Sequence, residues 1–143
     1  MPVLNNDALR SEVIEDLGKF NENEYLKWRD RMIKETIENE ISFIYDTSVD
    51  RKCKEFKEVL VTNNYYYFII SIDLSKELLI NLYQTKGYFE SLKRIDELLN
   101  DHKIFLENYS NDVDLSISDN DFKNQCQISY QKTTEWIKAI SKT

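Results

Sequence analysis

The chain has 143 residues, of which 41% are hydrophobic and 31% are charged, a composition typical of one globular domain. Its formal net charge of −7 argues against direct nucleic-acid binding, which needs a basic surface that releases counterions from phosphate. The charge suits a basic protein partner, and the alternative is that it only keeps the protein soluble. The sequence has no run of about 18 apolar residues, so it predicts no membrane span.

Glycine and proline are scarce, with 2 and 1 residues respectively. Proteins built from β-sheets use glycine at turns where φ is positive, so a chain with so few of these residues is expected to consist of long helices joined by polar loops. We therefore predict an all-α fold, a bundle of about five helices, in a single domain over residues 1–143.

The first two predicted helices span residues 7–18 and 24–46. Gly18 suits the residue that follows a helix C-terminus, and Asn23 suits an N-cap. The second helix has a broad apolar stripe, with charged residues on its other faces. The stripe consists of Tyr25, Trp28, Met32, Ile33, Ile37, Ile41 and Ile44.

The segment 50–84 allows two interpretations. Its apolar residues follow helical spacing, which predicts a third, central helix. Residues 59–70 are nevertheless rich in β-branched and aromatic side chains, and Asn63-Asn64 could turn a short hairpin there. We prefer the helix because a lone two-stranded hairpin is only marginally stable, and the hairpin stays open as the alternative.

The fourth predicted helix spans residues 88–109, after a break at Gly87, and the last spans 121–141. Residues 110–121 between them form a polar, acidic loop with four aspartates and no basic residue. Short connections between long helices favour antiparallel packing and hence an up-and-down bundle.

Three consecutive tyrosines cannot all face one core, because neighbouring positions on a helix point about 100° apart. Tyr67 shares helical spacing with Leu60 and Leu74, so we assign it to the core. We expect Tyr65 or Tyr66 to reach an interface with a partner protein or with a second copy of this chain, because tyrosine combines a large contact area with a polar tip.

No catalytic arrangement is evident. His102 is the only histidine; Asp101 beside it points elsewhere on a helix, and the glycine pattern of a nucleophile elbow is absent. A favourable contact with a helix C-terminus explains His102 better. Glycine-rich nucleotide-binding motifs are also absent. We therefore expect the chain not to be an enzyme and predict no cofactor.

Paired carboxylates at i, i+3 raise the question of a metal site. The pairs are Glu12 with Glu15, Glu35 with Glu38 and Glu55 with Glu58. A di-iron bundle needs Glu-x-x-His on two helices, which this chain lacks, so we interpret the pairs as solvated faces. The loop from Asp112 has alternating oxygen ligands but Ile117 where a calcium loop needs glycine, and Lys123 where it needs glutamate. We predict no metal-binding residue.

Cys53 and Cys126 lie far apart and outside any metal-binding spacing. We interpret both as reduced, mostly buried thiols of a cytoplasmic protein. The residues that begin the chain, Met-Pro-Val-Leu-Asn-Asn-Asp, have neither a basic start nor an apolar stretch, and so are not expected to be a secretory signal.

Residues 79–99 resemble one helix–turn–helix unit of the tetratricopeptide repeat, with Leu79, Tyr83, Gly87 and Phe89 near the positions of that pattern. Arrays of such repeats need about three units, and only one is visible here. The resemblance therefore implies a helical hairpin that turns at Gly87.

Residues 24–100 resemble helical immunity proteins that neutralise bacterial polymorphic toxins, especially PoNe-type DNases. The resemblance lies in a Tyr-Leu-x-x-Arg helix and in an aromatic helix followed by a glycine turn. The residues that carry it are Tyr25, Leu26, Arg29, Leu82, Tyr83 and Gly87. It implies an all-helical inhibitor of a toxin, and it assigns no family site residue to this chain, which is shorter than most members.

These observations predict a small acidic protein-binding inhibitor, such as a toxin-immunity protein or a phage-encoded antagonist, which blocks a basic partner such as a nuclease. The alternatives are a non-catalytic helical adaptor or subunit of a larger complex and an enzyme without recognisable motifs. The predicted partner-binding residues are Glu22, Glu24, Glu35, Glu38, Tyr65, Tyr66, Asp112, Asp114, Asp119 and Asp121. Homodimerisation is a further expectation.

Overall fold

A computed structural model describes residues 1–47 and 52–143. The chain is mainly helical, with 66% of the described residues in helices. It also contains two small parallel sheets, so the prediction of an all-α fold overstated the helical content. The chain divides into two compact units, Met1–Val49 and Asp50–Thr143, each with one of these sheets. That residues 1–143 fold as a single domain stays a prediction.

The N-terminal unit is a short β–α–α–β arrangement. Its elements are β1 (Val3–Asn5), α1 (Asn6–Leu17), α2 (Glu22–Glu38) and β2 (Ile44–Asp46). The two strands pair in parallel, with Val3 opposite Ile44, because α1 and α2 supply the long crossover that parallel strands need. Leu9 and Val13 of α1 pack with Tyr25 of α2 to form the core of this unit.

The first predicted helix is confirmed at its C-terminus, where Gly18 has a φ of 72° and donates its backbone N–H to Ile14. Its N-cap is Asn5, whose side chain accepts a hydrogen bond from the backbone N–H of Ala8 at 2.9 Å. The second predicted helix is too long: α2 ends at Glu38 instead of residue 46. Glu40 has a φ of 54°, which breaks the helix, and the apolar residues beyond it extend into β2.

The C-terminal unit contains five helices, two strands and two 3₁₀ turns in its described residues. Its helices and strands are α3 (Cys53–Thr62), β3 (Ile70–Ile72), α4 (Lys76–Lys86), α5 (Phe89–Lys93), α6 (Ile95–Tyr109), β4 (Leu115–Ile117) and α7 (Gln125–Ile140). The 3₁₀ turns are Ser110–Asp112 and Phe122–Asn124. The buried apolar residues are Cys53, Leu60, Ile95, Phe105 and Ile117.

Residues 50 and 51 of the segment 50–84 lie outside the described residues, and both interpretations are wrong for residues 52–84. The helix α3 stops at Thr62, and Asn64 adopts a φ of 60° that ends it. The hairpin predicted near 59–70 does not form either: β3 pairs in parallel with β4, with Ile70 opposite Leu115. Of residues 59–70, only Ile70 belongs to a strand, and its partner Leu115 lies 45 residues further along the chain, beyond the crossover formed by α4–α6.

The helical hairpin predicted at Gly87 agrees with the end of α4, because Gly87 follows this helix with a φ of 71°. The fourth predicted helix is divided at Arg94 into the short α5 and the longer α6. The last predicted helix begins later than expected, at Gln125, after a 3₁₀ turn. The predicted acidic loop 110–121 contains β4, and Ile117 of this strand is fully buried.

Two burial predictions need correction. Cys126 is exposed on α7, whereas Cys53 is buried as expected. Tyr67 is only half-buried, because it follows the end of α3 and therefore lies on no helical stripe.

In the described parts of the chain, none of the helices combines the length and the apolar character that a membrane span requires.

Candidate functional site

The most distinctive surface of the N-terminal unit lies on α1 and the residues just after it; we call it the α1 surface. Its apolar side chains Ile14, Leu17 and Phe20 are 44%, 46% and 40% exposed. Its carboxylates belong to Glu12, Glu15 and Asp16, all exposed. Ile14 and Leu17, at i and i+3, share one side of α1, whereas the carboxylates of Glu12 and Asp16, at i and i+4, share another side. An apolar centre with a charged rim is the usual anatomy of a protein-binding surface.

Two carboxylates of the α1 surface lie where the helix dipole is unfavourable for a negative charge. Glu15 and Asp16 lie in the last turn of α1, where the helix dipole is negative, and no basic residue occupies that turn. Within residues 1–47 and 52–143, neither carboxylate nor that of Glu12 has an ion-pair or hydrogen-bond partner. The carboxylates of Glu15 and Asp16 are therefore stabilised neither by the helix dipole nor by an ion pair.

Phe20 is fixed to the core of the unit by two contacts. Its ring lies 5.9 Å from the ring of buried Tyr25, measured between centroids. The guanidinium of Arg10 lies over both rings, 5.5 Å from the centroid of Phe20 and 5.0 Å from that of Tyr25. The exposed edge of Phe20 is therefore held in a defined position, as an anchor for a partner requires.

The four predicted glutamates of α2 lie at the surface, but three of them are paired within the helix. The ion pairs are Glu24 with Lys27 at 3.1 Å, Glu35 with Arg31 at 4.0 Å and Glu38 with Lys34 at 3.6 Å. Such exposed pairs contribute little to stability and reduce the net charge that a partner meets. Glu22 is exposed, begins α2 and follows Phe20 closely in the chain, so it extends the α1 surface.

The predicted aspartates of residues 110–121 bond within their own unit. The contacts are Asp112 with Lys57 Nζ at 2.8 Å, Asp114 with the backbone N–H of Ile69 at 2.8 Å, Asp119 with that of Ser75 at 2.8 Å, and Asp121 with that of Ser118 at 3.2 Å. The bonds from Ser75 hold the pKa of Asp119 below its ordinary value. These carboxylates hold the segment around β4 in place. The sequence pattern alone did not indicate this structural role.

The tyrosines after α3 form a second surface, which we call the tyrosine surface; it consists of Val61, Asn64, Tyr65, Tyr66 and Tyr67. Tyr66 is 72% exposed and Val61 is 60% exposed. These residues line an open groove of about 410 Å³. The prediction that Tyr65 or Tyr66 reaches an interface stays a prediction, but the exposure that it requires is present at Tyr66.

Beside the tyrosine surface, Lys57 is enclosed by its own neighbours. Its Nζ lies 5.7 Å from the ring centroid of Tyr67 and 5.9 Å from that of Tyr109. The hydrogen bond to Asp112 raises the pKa of the Lys57 ammonium above its ordinary value. An ammonium held this firmly in its charged form positions α3 against the end of α6 and is a poor nucleophile.

His102 has a partner that sequence analysis missed. Its Nε2 lies 2.6 Å from Oδ1 of Asp73, which directly follows β3. Ser71 Oγ donates to the same carboxylate at 2.5 Å, and Ser116 Oγ donates to its other oxygen. Both serines bond to the carboxylate and not to the imidazole, so this cluster lacks the order of a Ser–His–Asp triad. It connects β3, β4 and α6.

Burial acts to raise the pKa of Asp73, but the hydrogen bonds from Ser116, Ser71 and His102 outweigh it and lower that pKa below its ordinary value. The ring of His102 also stacks on buried Phe105, with centroids 5.9 Å apart. The expected contact of His102 with a helix terminus is thus replaced by a structural pair. The spacing Ser71-x-Asp73 after an apolar run was the only signal of it in the sequence.

Further exposed aromatic residues escaped the sequence analysis. Tyr88 and Phe89 protrude at the Gly87 turn, and Tyr130 of α7 is 76% exposed.

In the described part of the chain, no group of three or more acidic, histidine or cysteine residues is placed to hold a metal ion. The chain matches no protein-family model, no curated protein and no solved structure.

Proposed function

We propose that this chain is a small acidic inhibitor that blocks a basic protein through its α1 surface. The observation that carries the proposal is the combination of unpaired Glu12, Glu15 and Asp16 with the exposed Leu17 and Phe20. The carboxylates would steer a basic partner toward the surface, and the apolar side chains would supply contact area once it has docked.

The charge distribution of the chain supports this location of the site. Residues 1–50 contain 12 acidic and 6 basic side chains, a net charge of −6, so most of the excess negative charge of the chain belongs to this part of the sequence. A nuclease is a fitting partner because its nucleic-acid-binding surface must be basic. Carboxylates that cover such a surface would take the place of phosphates.

In its most concrete form, the proposal describes a cytoplasmic toxin-immunity protein or a phage-encoded antagonist of a host nuclease. The likeness of residues 24–100 to immunity proteins of PoNe-type DNases agrees with this form. Immunity proteins are encoded beside their toxins, so the product of the neighbouring gene is the first partner to test.

The test measures inhibition of that partner by the purified chain and by the variant Phe20→Ala. We expect the wild-type chain to inhibit with one-to-one stoichiometry and the variant to bind about 10-fold to 100-fold more weakly, as for an anchor residue. Tyr130→Ala is the matched control, because it removes a more exposed aromatic ring in the other unit. Equal affinity of all three proteins would contradict the α1 surface as the site.

A helical adaptor or subunit of a larger complex is the second candidate function. It is favoured by Tyr88 and Phe89, a protruding apolar pair with no carboxylate cluster on their turn. An interface built on this pair would be apolar, so its association rate would change little with salt. Weaker binding by Phe89→Ala together with unchanged binding by Phe20→Ala would select this function over the inhibitor.

A further inference from the structure

Phe20, the aromatic residue of the α1 surface, lies in the connection between α1 and α2, which spans residues 18–21. The residues at the two ends of this connection, Gly18 and Asn21, form backbone hydrogen bonds with α1 and α2. Within the described residues, Lys19 and Phe20 form no backbone hydrogen bond. The direction of the Phe20 side chain therefore depends on the groups that its ring contacts.

Two side chains contact the ring of Phe20. Tyr25 is 3% exposed and belongs to the core of the unit, and its ring centroid lies 5.9 Å from that of Phe20. Arg10 of α1 is exposed, and its guanidinium carbon lies 5.5 Å from the centroid of Phe20 and 5.0 Å from that of Tyr25. Both distances are within the range of cation–π attraction. One cation thus connects an exposed ring to a buried ring.

Arg10 differs from the other arginines in the described part of the chain because it pairs with no carboxylate there. Arg29, Arg31 and Arg94 each form an ion pair with a nearby acidic residue, at 2.8, 4.0 and 3.0 Å respectively. Residues 1–50 contain 12 acidic side chains, yet the contacts of the Arg10 guanidinium are with the two rings. Its charge therefore neutralises none of the carboxylates that the proposed function uses.

We propose that Arg10 is a positioning residue, which orients the ring of Phe20 in the free chain so that the ring is in place before a partner docks. The consequence for binding rests on the proposed function, in which Phe20 is the anchor. Fixing a side chain in advance removes part of the entropy cost of association. Loss of the guanidinium therefore weakens the binding of a partner through its effect on Phe20.

The charge of the partner gives this effect a distinctive sign. Arg10→Gln makes the chain more acidic, so its long-range attraction to a basic partner increases. Weaker binding by this variant opposes that trend and reports the lost contact with Phe20. Arg31→Gln is the matched control, because Arg31 is exposed in the same unit and loses the same charge but pairs with Glu35.

The first measurement needs no partner: it is the χ1 angle of Phe20 in the free chain, obtained from NMR coupling constants. We expect a single rotamer in the wild type and in Arg31→Gln, and averaged couplings in Arg10→Gln. Arg10→Lys keeps a cation on a flexible stem and should restore part of the rotamer preference. Couplings that are equal in the wild type and in Arg10→Gln would overturn the role of Arg10 and leave the proposed function standing.

The second measurement is the dissociation constant for the product of the neighbouring gene. We expect Arg10→Gln to bind about 3-fold to 10-fold more weakly than the wild type, and Arg31→Gln to bind no more weakly. In the Phe20→Ala background, Arg10→Gln should have no further effect, because the ring that it positions is absent. An equal loss in both backgrounds would overturn the inference, since Arg10 would then act independently of Phe20.

The two measurements separate this inference from the proposed function. A neighbouring-gene product that the wild type does not bind, together with averaged couplings in Arg10→Gln, would contradict the proposed function and still support the positioning role of Arg10. Because Arg10 is exposed, circular dichroism should show an intact fold for Arg10→Gln.

Discussion

At the scale of single residues, the carboxylate of Asp73 is the centre of a polar cluster in the C-terminal unit. It accepts hydrogen bonds from Ser71 and Ser116 and pairs with His102 at 2.6 Å, so three elements meet at one side chain. Apart from the spacing Ser71-x-Asp73, no sequence pattern indicates this cluster, because His102 and Ser116 lie far along the chain from Asp73. Only the pairing of β3 with β4 brings them together.

We expect Asp73→Asn to lower the free energy of unfolding by about 1–3 kcal/mol. The two carboxylate oxygens both accept hydrogen bonds, and asparagine replaces one of them with an NH₂ group, which can only donate. Urea unfolding near neutral pH measures this loss. Ser116→Ala, which removes one of these donors, is the control and should cost less. An Asp73→Asn protein as stable as the wild type would show that the cluster does not stabilise the fold.

The lowered pKa of Asp73 also predicts how stability depends on pH. A carboxylate whose pKa is lower when folded stabilises the protein above its unfolded pKa of about 4, and this contribution is lost as pH falls through the folded pKa. The stability difference between wild type and Asp73→Asn should therefore shrink as the solution is acidified below about pH 4. A difference that grows on acidification would contradict the assigned direction.

Tyr66 and Tyr67 should respond differently to truncation. Tyr67 is half-buried beside Lys57, so Tyr67→Ala should destabilise the fold by about 1–2 kcal/mol, less than a fully buried aromatic ring would. Tyr66→Ala should leave the melting temperature of the monomer nearly unchanged. Thermal unfolding of both variants at low protein concentration measures this contrast. Equal losses would mean that Tyr66 is buried as deeply as Tyr67.

At the scale of elements, local signals predicted helix ends well where the backbone conformation is special. Gly18 and Gly87 both follow a helix with positive φ, and only glycine takes that conformation without strain. The same reasoning missed Glu40 and Asn64, which take positive φ without being glycine. Periodicity therefore extended α2 and the helix of 50–84 beyond their true ends.

Gly18→Ala tests the end of α1. An added Cβ would meet no atom within 4 Å, so the only penalty is the left-handed backbone at a φ of 72°. We expect a loss of about 1 kcal/mol in the free energy of unfolding. Thermal unfolding of the variant measures it. A rise in melting temperature would mean that Gly18 does not adopt this conformation.

At the scale of the whole molecule, composition alone predicted the mainly helical fold, because scarce glycine and proline leave few turns for sheets. It could not predict the two parallel sheets, since each pairs strands that are far apart in the sequence and only three residues long. Sequence analysis placed the candidate carboxylates on α2 and in residues 110–121, whereas the surface proposed from the structure lies on α1. The pair Glu12 and Glu15 was interpreted as a solvated face because the chain has no Glu-x-x-His, and both residues are exposed.

The central claim is that the α1 surface attracts a basic partner, and the association rate constant with that partner tests it most directly. Stopped-flow or surface-based kinetics would compare the wild type with the double variant Glu15→Gln/Asp16→Asn at about 0.05 M and about 0.5 M salt. We predict that the wild-type rate constant falls at least about 10-fold with salt, and that the variant associates more slowly at low salt and depends less on it. Rate constants that are equal for both proteins and independent of salt would contradict the claim.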